Sequence, residues 1–186
     1  VNFENVQRTM RAKLPFGIAN IGKSFRNEIT PGHFIFRTRE FEQMEIEYFC
    51  KKEDEDVWFD FWVEKRLEWY KAIGIPKEKL RLREHDENEL AHYASKTVDI
   101  EFEYPWGWGE LEGIANRGNF DLSSHESSSG KDLSYFDSDT NEKIIPVVIE
   151  PAGGLTRTLF ALLCSTYNEE IVNDATRTFF KFNFDI

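Results

Sequence analysis

Arg26, Glu28, Arg37, Phe41 and Glu45 all fall within one stretch, FRNEITPGHFIFRTREFEQMEIEYF, residues 25–49. These residue types, in this order, can recognise a nucleotide that carries an amine. A flat aromatic ring stacks on a purine, arginines hold phosphate oxygens with paired donors, and a distal carboxylate holds an ammonium. In an extended strand alternate residues share a face. From Arg37 onward one face carries Arg37, Arg39, Phe41, Gln43, Glu45 and Glu47, while the other carries Phe36, Thr38, Glu40, Glu42, Met44, Ile46 and Tyr48. On the preceding strand Arg26 and Glu28 share a face. Four residues of strand span about 13 Å, so Phe41 and Glu45 are separated by the reach of a base, a phosphate and an amine in sequence. The same pattern also describes a solvated sheet face with cross-strand ion pairs.

Such a face needs a sheet beneath it. Residues 15–49 read as strand, strand, loop and long strand, with a turn at Pro31–Gly32. Residues 54–73 read as a helix with Trp58, Phe61, Trp62, Lys65 and Trp69 on one side, stopped by Gly74 and Pro76. A polar segment, REHDENELAHYASK, precedes the strands TVDIEFEYP and WGELEGIA. Residues 123–143, rich in Ser, Asp and Lys, read as a surface excursion. IIPVVIEP reads as a buried strand, and GGLTRTLFALLCSTYN as a helix entered through Gly153 and Gly154. Strands outnumber helices and the hairpin implies antiparallel pairing, so the fold class is α+β, a mostly antiparallel sheet with flanking helices.

At 186 residues with 40% hydrophobic content, the chain suffices for one domain with a substantial core. A net charge of −11 argues against a surface that coats nucleic acid in general, and DNA is not an expected partner. No apolar run approaches the roughly 18 residues of a membrane span, and no signal peptide is visible. Cys50 and Cys164 lack metal or redox spacing and suit the reducing cytoplasm. The start without Met, at VNFENV, and the abrupt stop at FKFNFDI read as an excerpt of a longer protein. DSDTNE at 137–142 departs from a calcium loop at Glu142 and Val148. His85 and His92 are too far apart for a recognisable zinc pattern, and Gly153–Gly154 is too short to cradle phosphate.

FRNE followed by RTREFEQMEIE resembles motif 2 of class II aminoacyl-tRNA synthetases, specifically the glycyl-tRNA synthetases. KLPFGIANIGKSFRNEITPG, HYASKTVDIEFEYP, GELEGIANRGNFDLSSH and VVIEPAGGLTR resemble the same family in the same order, over nearly the whole chain. The resemblance implies a class II catalytic core, with motif 2 at about 25–49 and motif 3 at about 147–165. It implies ATP-dependent activation of glycine and transfer to tRNA(Gly), in the cytoplasm, by a homodimer. Arg26 would bind the α-phosphate, Glu28 the adenine amino group and Arg37 the ATP phosphates. Phe41 would stack on adenine, with Arg157 on its other face or on the γ-phosphate; Arg26 and Arg157 are the expected catalytic pair. Glu45 and Glu150 would hold the glycine ammonium. Mg²⁺ is expected on the phosphates, with Glu110 and Glu112, sharing a face on GELEG, as candidate ligands.

Departures from the family pattern are Ala152, where a serine usually faces the amino acid, and Thr156, before the motif 3 arginine. The RPETAQG element, motif 1 and the anticodon-binding domain fall outside this chain. A relative charging another small amino acid, or a synthetase-like nucleotide- or tRNA-binding module, are the alternatives.

Overall fold

The structure, a computed structural model, describes residues 2–86 and 88–183. Val1 of VNFENV, residue 87 of the polar segment and residues 184–186 of FKFNFDI lie outside the described residues. In chain order the elements are α1 (Phe3–Met10), β1 (Phe16–Phe25), β2 (Glu40–Cys50), α2 (Glu55–Ala72), β3 (Leu80–Glu84), β4 (Lys96–Tyr104) and β5 (Gly107–Gly118). There follow α3 (Phe120–Ser129), β6 (Tyr135–Asp137), β7 (Glu142–Ile144), β8 (Val147–Gly154), α4 (Leu155–Thr166), β9 (Tyr167–Val172) and β10 (Ala175–Phe180).

Six strands form one sheet in the order β1-β2-β8-β5-β4-β3, every neighbouring pair antiparallel. The expected α+β class holds. Helices α2 and α4 cover one face, where Phe59, Tyr70, Ile100, Phe102, Ile114 and Ile149 make the main core. On the other face a smaller apolar cluster, Phe3, Phe49, Leu122 and Val148, lies at one end of the strands beneath α1 and α3. The rest of that face is polar and open.

Local chemistry explains several element ends. Acidic Glu55 and Asp56 occupy the first turn of α2, where the helix dipole favours them. The helix stops where Gly74 takes a left-handed φ of 99° and its N–H returns to the Lys71 carbonyl. Its buried side runs through Phe59, Val63, Arg66 and Tyr70, so the expected stripe is rotated: Phe61 and Lys65 face solvent. Between β9 and β10, Asn173 and Asp174 both adopt positive φ, the requirement of a two-residue hairpin turn.

Several expectations are corrected. Only one strand precedes the loop, and the turn lies at His33–Phe36, just past Pro31–Gly32, with His33 at φ 53° and Phe34 at φ 55°. The excursion at 123–143 contains most of α3 and the β6–β7 hairpin, which buries Tyr135 and Asp137. The helix α4 is entered through Gly153 and Gly154 as expected: they end β8, Gly154 is the N-cap, and α4 starts at Leu155.

Candidate functional site

Because β1 ends at Phe25 and β2 begins at Glu40, Arg26, Glu28, Arg37 and Arg39 lie in the loop between them and not on strand faces. That loop is tied down along its length. The Arg39 Nε donates to the Glu28 carbonyl at 3.1 Å, and Arg37 Nη1 lies 3.3 Å from Glu28 Oε2. The Arg26 N–H donates to the Arg39 carbonyl at 3.0 Å. Aromatic packing against the β4–β5 turn does the rest: His33 stacks on Trp106 with centroids 4.3 Å apart, and Phe36 meets Tyr104 edge-on at 4.9 Å.

A pocket opens between this loop, β2 and the first turn of α4, lined by Arg26, Glu28, Arg37, Phe41, Thr156 and Arg157 among others. The Arg26 guanidinium lies over the Phe41 ring, 5.5 Å from its centre. Arg157 donates from Nε to the Phe36 carbonyl at 3.0 Å and from Nη1 to the Glu110 carbonyl at 3.0 Å. Its Nη1 is also 3.4 Å from the Glu110 carboxylate. Thr156, a departure from the family pattern, accepts the Glu42 N–H on its hydroxyl at 3.2 Å and so fastens α4 to β2.

A second pocket adjoins the first, and Arg26, Gln43, Glu110 and Ala152 line both. Its floor follows the sheet register. Glu45 is opposite Ala152, Ala152 opposite Gly113, and Gly113 opposite Asp99, one row across four strands. The next row runs from Glu47 through Glu150 and Ala115 to Thr97; Glu47 faces Glu150 because Glu45 pairs with Ala152 and Tyr48 with Ile149. Arg117 Nη1 is 2.8 Å from Glu150 Oε2, while its Nε and Nη2 grip both oxygens of Asp121 at 2.6 and 2.9 Å. On the far wall His85 Nε2 is 2.7 Å from Asp99 Oδ2.

These contacts set the ionisation. Burial pushes the Glu47 carboxyl up to about 8, and the neighbouring Glu150 charge adds to the shift. Burial raises Glu150 as well, against the pull of Arg117. The Asp121 carboxylate keeps Arg117 firmly charged. Asp99 is raised by burial, with His85 opposing.

The two candidate metal ligands are not on one face. Ile100 pairs with Glu112 but Glu101 with Glu110, so Leu111 is an extra residue, a bulge that reverses the alternation. Glu112 points into the helix-covered core, only 1% exposed, held by Arg66 Nε at 2.6 Å and by the Tyr70 hydroxyl at 2.6 Å. Glu112 is thus withdrawn as a metal candidate, and Glu110 alone faces the pockets. Among the described residues no group of three or more His, Cys, Asp or Glu side chains is arranged to hold a metal ion.

All the other residues singled out in the sequence, Arg26, Glu28, Arg37, Phe41, Glu45, Glu150, Ala152 and Arg157, line the two adjoining pockets. Sequence reading gave no role to Arg117, Glu47 or the His85–Asp99 pair. The spacing of Arg117 and Asp121, four apart at a strand-to-helix junction, was a usable signal for the first; the others meet only through strand register.

The model of the tRNA synthetase class II core domain (G, H, P, S and T) matches residues 3–166. The glycine–tRNA ligase of Macrococcus caseolyticus (strain JCSC5402) is 55% identical over 184 residues, 98% of this chain and 40% of that protein. Those of Mycoplasmopsis synoviae (strain 53) and Geobacillus thermodenitrificans (strain NG80-2) are each 56% identical, over 94% and 95% of this chain and 39% and 38% of their own lengths. The chain therefore spans about two fifths of the length of these relatives.

Proposed function

The chain belongs to the class II tRNA synthetase core family, and from that membership and the site's geometry we propose that the whole protein is a glycine–tRNA ligase. It would join glycine to ATP as glycyl-adenylate and pass the glycyl group to the 3′ end of tRNA(Gly). One observation carries the reading: two adjoining pockets set an aromatic and an arginine, Phe41 and Arg157, at one end and the acidic pair Glu45 and Glu150 at the other, with Arg26 lining both.

In this reading adenine occupies the Phe41–Arg157 end, Glu28 accepts from its amino group and Arg37 meets the phosphates. The glycine carboxylate is already a nucleophile, so the first step needs no general base. A carboxylate oxygen attacks the α-phosphorus and pyrophosphate leaves. The protein's part is to align the two and neutralise the charge that grows on the α-phosphate. Arg26, at the junction, is placed to do so. A charge-assisted hydrogen bond contributes roughly 1.5–3 kcal/mol, so Arg26→Ala lowers the rate about tenfold or more. In the second step a 3′-terminal hydroxyl of the tRNA attacks the glycyl carbonyl and AMP leaves.

The half-exposed Glu110 carboxylate at the wall of the nucleotide pocket, 3.4 Å from Arg157 Nη1, fits Mg²⁺ of the kind held mainly by phosphates and water, with one or two carboxylates. Glu110 would hold it, and the ion would supply charge neutralisation on the phosphates. We attribute selection of glycine to size: Ala152, between Glu45 and Gly113 in the sheet register, lies on the floor of the second pocket, where a larger amino acid brings its side chain. No helix among the described residues is long and apolar enough to cross a membrane; a cytoplasmic homodimer is the assembly we propose.

Glycine-dependent ATP–pyrophosphate exchange by the full-length protein tests the reading. Exchange with glycine, and not with alanine or serine, is expected. Exchange with alanine or serine instead identifies a different specificity, and ATP binding without exchange identifies a binding module.

A further inference from the structure

Glu47 has no part in the reaction as described, yet it lies directly across the β2–β8 seam from Glu150. We propose that Glu47 is a positioning residue that shares one proton with Glu150 and thereby fixes the Glu150 carboxylate towards the glycine amine. The proposal rests on the glycine-activating reading of the site.

The surroundings leave little choice. Along the same face Glu47 is followed by Phe49 of the apolar cluster, and Ile18, opposite it on β1, packs against that cluster too. Water is therefore scarce on that side. Glu150 and Arg117 are each only 16% exposed. Glu150 faces Glu47 from β8, Arg117 from β5 and Asp121 from α3, and Glu45 lies two positions along β2. Arg117 is the one cation among these groups, and Asp121 takes two of its three nitrogens. Two carboxylates sharing a desolvated site do not both ionise. Glu150 has the arginine and keeps its charge. Glu47 has none and keeps the proton, in accord with its rise to about 8.

The consequence is geometric. A protonated Glu47 donates its O–H to Glu150, and Arg117 donates to Glu150 Oε2. Two fixed donors on two strands then hold one carboxylate in one orientation. When Glu47 loses its proton the donor becomes a repelling charge, and Glu150 is no longer held. Affinity for glycine falls on the alkaline side, while ATP, bound in the other pocket, is unaffected.

The test uses the full-length protein with Glu47→Gln, which keeps a donor and cannot ionise, and Glu47→Ala, which keeps neither property. Glycine-dependent ATP–pyrophosphate exchange is followed against pH, and ¹³C-carboxyl NMR follows the glutamates of the ligand-free protein. We expect Glu47→Ala to raise the KM for glycine about tenfold, the loss of about one charge-assisted hydrogen bond, with the KM for ATP unchanged. Glu47→Gln restores the glycine KM to within about twofold of wild type near neutrality and abolishes its alkaline rise. It also removes a glutamate resonance that titrates far above the ordinary range. The proposal is overturned if Glu47→Ala leaves the glycine KM unchanged in an active enzyme, if Glu47→Gln is as damaging as Glu47→Ala, or if no glutamate titrates late. A wild-type protein without glycine-dependent exchange overturns the activation reading and the positioning role together, which separates that failure from the others.

Discussion

Arg157 holds Phe36 in two ways: its Nε donates to the Phe36 carbonyl at 3.0 Å, and its guanidinium lies 4.2 Å from the centre of the Phe36 ring. One side chain from the first turn of α4 thus fastens the loop that carries Arg37 and follows Arg26. Through these contacts the loop and the helix form the first pocket together, the one proposed for the nucleotide.

Arg157→Lys tests this joint. Lysine keeps the charge but loses the planar fork and the stacking on Phe36. The two contacts together contribute on the order of 2 kcal/mol, so the KM for ATP rises about tenfold or more, and the KM for glycine changes less. Steady-state pyrophosphate exchange measures both constants. Equal rises in the two would mean that Arg157 does not act on the nucleotide end.

Gly153→Ala probes the layer beneath the floor. A Cβ there meets Glu112 Oε2 at 2.9 Å and the Tyr70 hydroxyl at 3.1 Å, both buried and mutually bonded. That network cannot yield cheaply, and overpacking of this kind costs about 1–3 kcal/mol. Urea unfolding of the variant shows a lower midpoint. An unchanged midpoint would mean that the Arg66–Glu112–Tyr70 group is loose.

How much of this was legible in the sequence depends on where alternation holds. From Glu40 to Cys50 it does: Phe41, Gln43 and Glu45 line the pockets, and Glu47 follows on the same face, as period two requires. It fails for Arg37 and Arg39, because left-handed φ at His33 and Phe34 makes a loop where the residue types suggested strand. It fails again at Leu111, where one inserted residue puts Glu110 in the pocket and Glu112 in the core. Neither event has a composition signature. The pairing of Glu47 with Glu150, about a hundred residues apart, depends on register, which no local pattern encodes.

Stability should also carry the mark of Glu47. Burial, with the Glu150 charge beside it, pushes its carboxyl up to about 8 in the folded protein, against an ordinary 4.5. Between those values the folded protein retains a proton that the unfolded chain releases, so stability falls as pH rises. The contribution is complete below about 4.5 and lost once pH passes about 8. Glu47→Gln removes this loss. Denaturation midpoints measured across that window should therefore move in favour of the variant as pH rises, then level off. A constant difference would contradict the shift.

Ala152→Ser restores a hydroxyl where the second pocket's floor meets Glu45 across the seam. A new hydrogen bond contributes about 1 kcal/mol, so the KM for glycine should fall about fivefold, with the KM for ATP changing less. Pyrophosphate exchange at limiting glycine reads this directly. A rise in KM would show that the pocket has no room for one more oxygen.

The most direct test of the central claim, that these charges outline glycyl-adenylate, is calorimetric. The full-length protein is titrated with a non-hydrolysable sulfamoyl analogue of glycyl-adenylate and with the same molecule lacking the amine. If Glu45 and Glu150 hold the ammonium, the amine contributes about 1.5–3 kcal/mol, and the analogue lacking it binds about tenfold or more weakly. Equal affinity for the two would mean that the acidic end of the site does not read the amine, and the account would be wrong.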